Sequence, residues 1–378
     1  IDAADAIVAA GSSPGRIATL IVPADVAWNG GGRIAPVPGL PKPPVPAADT
    51  VQRAAAMLRA RVRTAVLITG NGLYGKGLAT AGAIAAATGA KLLVPYPFAR
   101  LERGAGKPSV ERIPYVLEQA AELLKSYKQL ILVGTSAPVS YFAYPNKNAA
   151  MTASDCEIFT LASPAEDCAG ALELLASELE IGDVRAMGEA AQRPPRPSGT
   201  ITLAGLAAAV AATLPENCIV VDESMTSGRG IMAATKGCSP HDWLANTGGS
   251  IGIALPLAVG AAVAEPSRRV LCLSADGSGM YTVQALWTMA RENLKITSVI
   301  FSNRIYSVLN REFTNLIGTD PGPRALDLFE IGRPDLDWVS MAKAMGVPAV
   351  RVSSLDDFAK ALESSFAAEG PMLIDVPL

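Results

Sequence analysis

Two buried apolar runs with one helical stretch between them constrain this chain more than any other feature. Residues 269–274 (RVLCLS) and 296–302 (ITSVIFS) read as strands of a sheet interior. Residues 280–292 between them read as a helix with Val283, Leu286, Trp287 and Ala290 on one face. In a parallel βαβ unit both strands end at the same rim, so residues just past them become neighbours. Asp276 follows the first strand, and Asn303, 27 residues later, follows the second. One carboxylate, one amide oxygen and a nearby backbone carbonyl make an all-oxygen site of low charge. Mg²⁺ takes such a site when phosphates complete its octahedron. Ser278 and Gly279 open the helix, where free N–H groups and the dipole favour a phosphate. The spacing describes a Mg²⁺–diphosphate clamp. The bland alternative is a βαβ unit whose Asp and Asn merely cap turns.

The bulk of the chain excludes several classes of function. Half of the 378 residues are hydrophobic and 18% are charged, enough to bury large cores in two to three domains. A net charge of −3 and the lack of a basic cluster argue against nucleic acid. No apolar run reaches the roughly 18 residues that span a bilayer. The five cysteines (156, 168, 218, 238, 272) form no CxxC pair. They read as reduced thiols of a cytoplasmic protein. The single histidine, His241, nearly rules out a zinc site or a His-based triad. It stands in CSPHDW, which reads as a surface or lid loop.

Along the chain, residues 1–10 read as a helix, and 29–49 and 185–199, rich in Gly, Pro or both, read as linkers. Between them lie helix 50–61, strand 64–69, helix 78–88, strand 91–94, helix 115–127, strands 129–134 and 157–161, and helix 165–179. After the second linker come helix 202–213, strand 218–222, helix 252–264 and the βαβ unit above. Helices near 338–345 and 356–368 and a strand at 372–376 close the chain. This alternation predicts an α/β fold of two doubly wound parallel-sheet, Rossmann-like domains, 50–184 and 200–378. Gly70–Gly77 (GNGLYGKG) matches two phosphate motifs and fails both. Val94-Pro95 stands where a ribose-binding acid belongs, and Gly77 replaces the hydroxyl residue after Lys76. A tight turn is the favoured reading.

The run ADGSGMYTVQALWTMARENLKITSVIFSNRIYSVL (275–309) is similar to the signature of thiamine-diphosphate (ThDP) enzymes, GDG with an Asn some 27 residues on. Within that superfamily the chain resembles acetolactate synthase large subunits and benzoylformate decarboxylases. It departs at Ala275, for the first Gly, and at Ser302, for an Asn that often precedes the metal ligand; neither change removes a ligand. The resemblance implies that Asp276, Asn303 and the Ile305 carbonyl hold Mg²⁺. It implies that Gly277, Ser278 and Tyr306 meet the diphosphate. Asn246–Pro256 (NTGGSIGIALP) resembles the family's loop beneath the thiazolium ring. By that likeness Ile251 bends the cofactor and the Gly249 carbonyl accepts its amino group. Ser224, Thr226 and Ser227, past strand 218–222, are diphosphate candidates by the same likeness, or else an N-cap cluster.

Gly15–Trp28 resembles the closing strand of the family's pyrimidine-binding domain. The chain is therefore expected to begin near the end of that domain (1–28), whose earlier part would carry a catalytic Glu. The implied activity is decarboxylation of pyruvate or another 2-keto acid with acetolactate synthase-like carboligation. Benzoylformate decarboxylase-like chemistry, and a non-catalytic subunit, are the alternatives. The implied assembly is a homodimer or tetramer with sites between subunits, since the Glu comes from a partner subunit. The span 1–378 alone is expected to hold ThDP and Mg²⁺ weakly and not to turn over. Residues 133–147 lack the Arg-Phe-Asp-Asp-Arg-like segment of acetolactate synthases, so FAD is doubtful.

Overall fold

The computed structural model describes residues 8, 10–12, 17–33, 39–182 and 188–378. Strands rich in Val, Ile and Leu that are buried on both faces form two sheets with helices against them. The first sheet contains β1 (Thr64–Ile68), β2 (Lys91–Val94), β4 (Glu111–Arg112), β5 (Gln129–Val133) and β6 (Glu157–Ala162) in the order β4-β2-β1-β5-β6. All its pairings are parallel. The second contains β3 (Arg100–Arg103), β7 (Ile219–Glu223), β8 (His241–Ala245), β9 (Val270–Ala275), β10 (Ile296–Ser302), β11 (Ala349–Arg351) and β12 (Met372–Pro377). Its order is β11-β12-β10-β9-β7-β8-β3. The α/β class read from the sequence is present, with two sheets; the first is parallel and the second is parallel except at its β3 edge.

The sheets are not cleanly partitioned along the chain. β3 leaves the first α/β unit and pairs antiparallel with β8 at the edge of the second sheet, Leu101 opposite Trp243 and Arg103 opposite His241. The sequence reading missed β3 because RLER carries three charges, and charged strands are specified by their partners. It likewise missed β4, β8, β11 and the helices Ser307–Ile317 and Pro323–Phe329.

Three expectations are corrected. The helix at 280–292 is a tight turn at Met280–Thr282 followed by a short helix, Ala285–Arg291. Its buried stripe is Ala285, Leu286 and Met289, so Trp287 faces outward with 54% of its surface exposed. The strand expected within Gly15–Trp28 is absent from its described part. Ile17 and Ile21 are 98% and 85% exposed with no strand partner, and Ala24–Trp28 forms one helical turn and a half. Residues 13–16, the linker positions 34–38 and 185–187, and most of the helix read into 1–10 lie outside the described residues.

The third correction is His241, which is neither lid nor surface. It lies on β8, 2% exposed. Its Nε2 is 3.1 Å from Arg103 Nη1 and its Nδ1 2.8 Å from the Ser239 carbonyl. A guanidinium can only donate, so Nε2 accepts, Nδ1–H donates, and the ring is neutral. Burial, then the Arg103 charge, hold its pKa down to about 4 from 6.5. The unfolded chain protonates near 6.5 and the folded one does not. Stability from this group is complete above that pH and falls as pH drops toward 4, by on the order of 3 kcal/mol. The His241→Gln variant keeps an acceptor for Arg103 and should flatten this part of the denaturation-versus-pH curve; an unchanged slope would refute the assignment.

Candidate active site

β9 and β10 are adjacent and parallel, Ala275 opposite Phe301. Asp276 and Asn303 therefore emerge at one rim, as the spacing predicts. Both line a single cavity of about 340 Å³ with Thr226, Ile251, Gly277, Ser278, Ile305 and Tyr306. Asp276 is 2% exposed and takes the Arg304 N–H on Oδ2 at 2.7 Å. Burial pushes its carboxyl up, against hydrogen bonds from the Arg304 and Gly277 amides. Asn303 Oδ1 accepts from the Ile305 N–H at 3.1 Å, and its Nδ2 donates to Ser307 Oγ at 3.3 Å. The amide is thereby oriented with oxygen and nitrogen distinguished by their partners.

Gly277 is required where it stands. A Cβ there would come within 2.6 Å of the Tyr306 ring, so the ring lies directly against the turn. The wall carrying Ile251 is built differently. Gly248, Gly249 and Gly252 all have positive φ, and the Gly252 carbonyl accepts from Thr282 Oγ1 at 2.6 Å. Ile251 is left 37% exposed at the cavity.

Three expected residues are not part of this lining. Ser224 lines a neighbouring cavity of about 230 Å³, its hydroxyl turned to Asp222. Ser227 is 6% exposed and its N–H donates to the Ser224 carbonyl at 3.1 Å. Gly249 lies on the loop without lining the cavity. Met225 and Tyr281, which the sequence reading passed over, do line it.

The largest omission is Glu223. It ends β7, is 2% exposed, and its Oε1 accepts from Gly252 N–H at 2.8 Å, Ile253 N–H at 3.3 Å and Asn246 Nδ2 at 3.3 Å. Oε2 accepts from Ala254 N–H at 3.1 Å. One carboxylate thus clamps both ends of the Ile251 loop and caps the helix Ala254–Ala264, where negative charge is favoured. Burial pushes its pKa up, and the Ala254, Gly252 and Ile253 amides pull against that. The detectable signal is the acidic pair Asp222-Glu223 closing the apolar run Ile219-Val220-Val221.

The donor chemistry of the rim suits Mg²⁺ and a diphosphate. All oxygens offered by Asp276, Asn303 and Ile305 are hard, and among the described residues no group of three His, Cys, Asp or Glu side chains forms a rival metal site. At the other phosphate motif, by contrast, the N–H of Gly75 donates to Glu102 Oε2 at 2.8 Å. A carboxylate of the chain itself occupies the N-terminus of the helix Gly75–Thr88, which supports the tight-turn reading.

Comparison with known proteins gives the family. The family model described as thiamine pyrophosphate enzyme, C-terminal TPP binding domain, matches residues 228–376. The chain belongs to the thiamine pyrophosphate enzymes. It is 47% identical over 374 residues to the Mycobacterium tuberculosis protein named "Putative acetolactate synthase large subunit IlvX", covering 99% of this chain and 72% of the relative. It is 30% identical over 214 residues to benzoylformate decarboxylase of Pseudomonas aeruginosa, covering 56% of this chain and 39% of that one. Among solved structures, a thiamine diphosphate-dependent 4-hydroxybenzoylformate decarboxylase from Rhodococcus jostii RHA1 superposes with a TM-score of 0.70 at 22% identity. That match covers 94% of this chain and 67% of the other. At that identity it shows the shared fold.

Proposed function

We propose that this protein is a ThDP- and Mg²⁺-dependent enzyme of 2-keto acid metabolism in the cytoplasm, with acetolactate synthase-like decarboxylation and carboligation of pyruvate. The observation that carries the reading is the single cavity with oxygen ligands on one wall and Ile251 on the other. Asp276, Asn303 and the Ile305 carbonyl would hold the metal, and Gly277, Ser278 and Tyr306 would face the diphosphate. ThDP, when bound, supplies a carbon nucleophile and then an electron sink for loss of CO₂. The chain's own part is positioning. Ile251 would orient the bound cofactor by bulk alone, and Glu223 holds the loop that carries it. Thr226 and Met225 line the same cavity. A benzoylformate decarboxylase-like activity is the second reading, favoured by the decarboxylase among the relatives. On that reading the product is released after protonation and no second carbonyl is attacked.

The site is proposed to be completed by a second copy of the chain. Ile251, Tyr281 and Leu309 border the cavity and are 37%, 60% and 50% exposed, an apolar margin suited to a partner surface. Calorimetric binding of ThDP to the complete protein, with and without Mg²⁺, tests the reading, and turnover is measured on the same protein; absence of Mg²⁺-dependent binding would overturn it. With pyruvate as substrate, acetolactate in the product mixture supports the synthase reading and acetaldehyde alone the decarboxylase. Ile251→Ala should leave cofactor affinity within a few-fold and lower kcat by about 100-fold, since misplacement of reacting atoms is costly. Loss of affinity with unchanged kcat would remove Ile251 from that role.

A further inference from the structure

Arg103 is 8% exposed, the one Arg or Lys that is fully buried among the described residues. Its hydrogen-bond partners are all neutral: Thr235 Oγ1 at 2.7 Å, His241 Nε2 at 3.1 Å and the Met232 carbonyl at 2.6 Å. The guanidinium also lies over the Trp243 ring, 5.2 Å from its centroid. A buried charge hydrogen-bonded only to dipoles keeps much of its field, and Glu189 is the one carboxylate that acts on it electrostatically. Arg103 forms part of the wall of a cavity of about 510 Å³ between the 103–112 segment and the short helix Ile231–Ala234.

The rest of that wall is also basic. Arg112, Arg229 and Lys236 line it, against the carboxylates of Glu111 and Glu189. Lys236 is 4.0 Å from Glu189, whereas Arg112 and Arg229 make no ion pair among the described residues. Burial first, and then the charges of Arg311 and Arg112, hold the Arg229 pKa down. Such crowding of like charges is relieved by a bound anion. Arg112 and Arg229 also line the cavity of about 230 Å³ beside the candidate active site, and Met225 lines both that cavity and the active site. Residues 225–229 therefore connect the basic cavity to the wall formed by Thr226.

We propose that the basic cavity binds a small multivalent anion, a polycarboxylate or a phosphate ester, at Arg112, Arg229 and Lys236 over the buried Arg103, apart from the ThDP site. The test is calorimetric titration and thermal melting with citrate, with inorganic phosphate, and with sodium chloride at matched ionic strength, all without Mg²⁺. Citrate or phosphate should bind saturably and raise the melting temperature where chloride does not. Arg112→Gln and Arg229→Gln should each weaken binding about tenfold, and Asp276→Ala should leave it unchanged. Preference for citrate assigns the carboxylic acid class, and preference for phosphate assigns the ester. A response no greater than chloride, or one retained in the Arg112→Gln/Arg229→Gln double variant, overturns the proposal. Loss of binding in Asp276→Ala alone also overturns it, by placing the anion in the other cavity. Circular dichroism of each variant separates lost binding from lost folding.

Discussion

Replacing Asp276 by alanine should abolish Mg²⁺-dependent ThDP binding, weakening it by at least about 100-fold. Asp276 is the one carboxylate on the cavity wall, and it is 2% exposed. Its burial pushes the acid up, so a cation is the partner that restores the charged form. Without it, Asn303 and a peptide carbonyl would face a doubly charged ion with no formal negative charge from the protein. Asp276→Asn separates charge from shape: it keeps an oxygen donor and should retain part of the affinity at millimolar Mg²⁺. Calorimetric titration of ThDP into both variants, with Mg²⁺ varied, measures this. Wild-type affinity in the alanine variant would remove Asp276 from the metal site.

The second large effect is expected at Glu223. Glu223→Ala removes the acceptor for three backbone amides and one side-chain amide in a buried place. Unsatisfied buried donors cost about 1–3 kcal/mol each, partly recovered by water, so a loss of roughly 3–5 kcal/mol in stability is expected. The Ile251 loop should loosen with it, lowering ThDP affinity by about tenfold or more. Thr202→Ala is the comparison, because Thr202 caps the helix Leu203–Thr213 through the Gly205 amide at 3.0 Å and touches nothing at the site. It should cost about 1 kcal/mol and leave cofactor affinity alone. Amide exchange at Gly252, Ile253 and Ala254 should rise in Glu223→Ala and stay slow in Thr202→Ala. Equal cofactor affinity in the two variants would reduce Glu223 to a helix cap.

What could be read in advance follows from where the information lies. β1, β9 and β10 are built of apolar and small hydroxyl residues and are buried throughout, so the chain itself announces them. Asp276 and Asn303 were legible because a parallel βαβ unit converts a separation in sequence into adjacency in space. β3 and β8 were not, since the charged segments RLER and HDWLA become strands only through their neighbours, β8 for β3, and β7 and β3 for β8. The same reason hid His241, whose burial is created by β3. Glu223 escaped because the amides it binds lie 29 to 31 residues further on. Ser224 and Ser227 stood between a diphosphate and an N-cap role in the sequence, since a hydroxyl serves a local turn equally well. Side-chain type did not decide between the two.

The β3–β8 pairing also bears on how the molecule could be taken apart. A cut anywhere in 185–199 looks harmless, because it falls between two sheets. It would nonetheless strip β8 of its outer neighbour, leaving only β7 beside it, and bare one edge of His241–Ala245 together with Trp243, which is fully buried in the intact chain. The released C-terminal piece would carry a raw edge ready to recruit a strand from another molecule, and is expected to precipitate or self-associate when expressed alone. Because one strand is lent across the boundary, the two layers cannot swing open like jaws without breaking a ladder of hydrogen bonds.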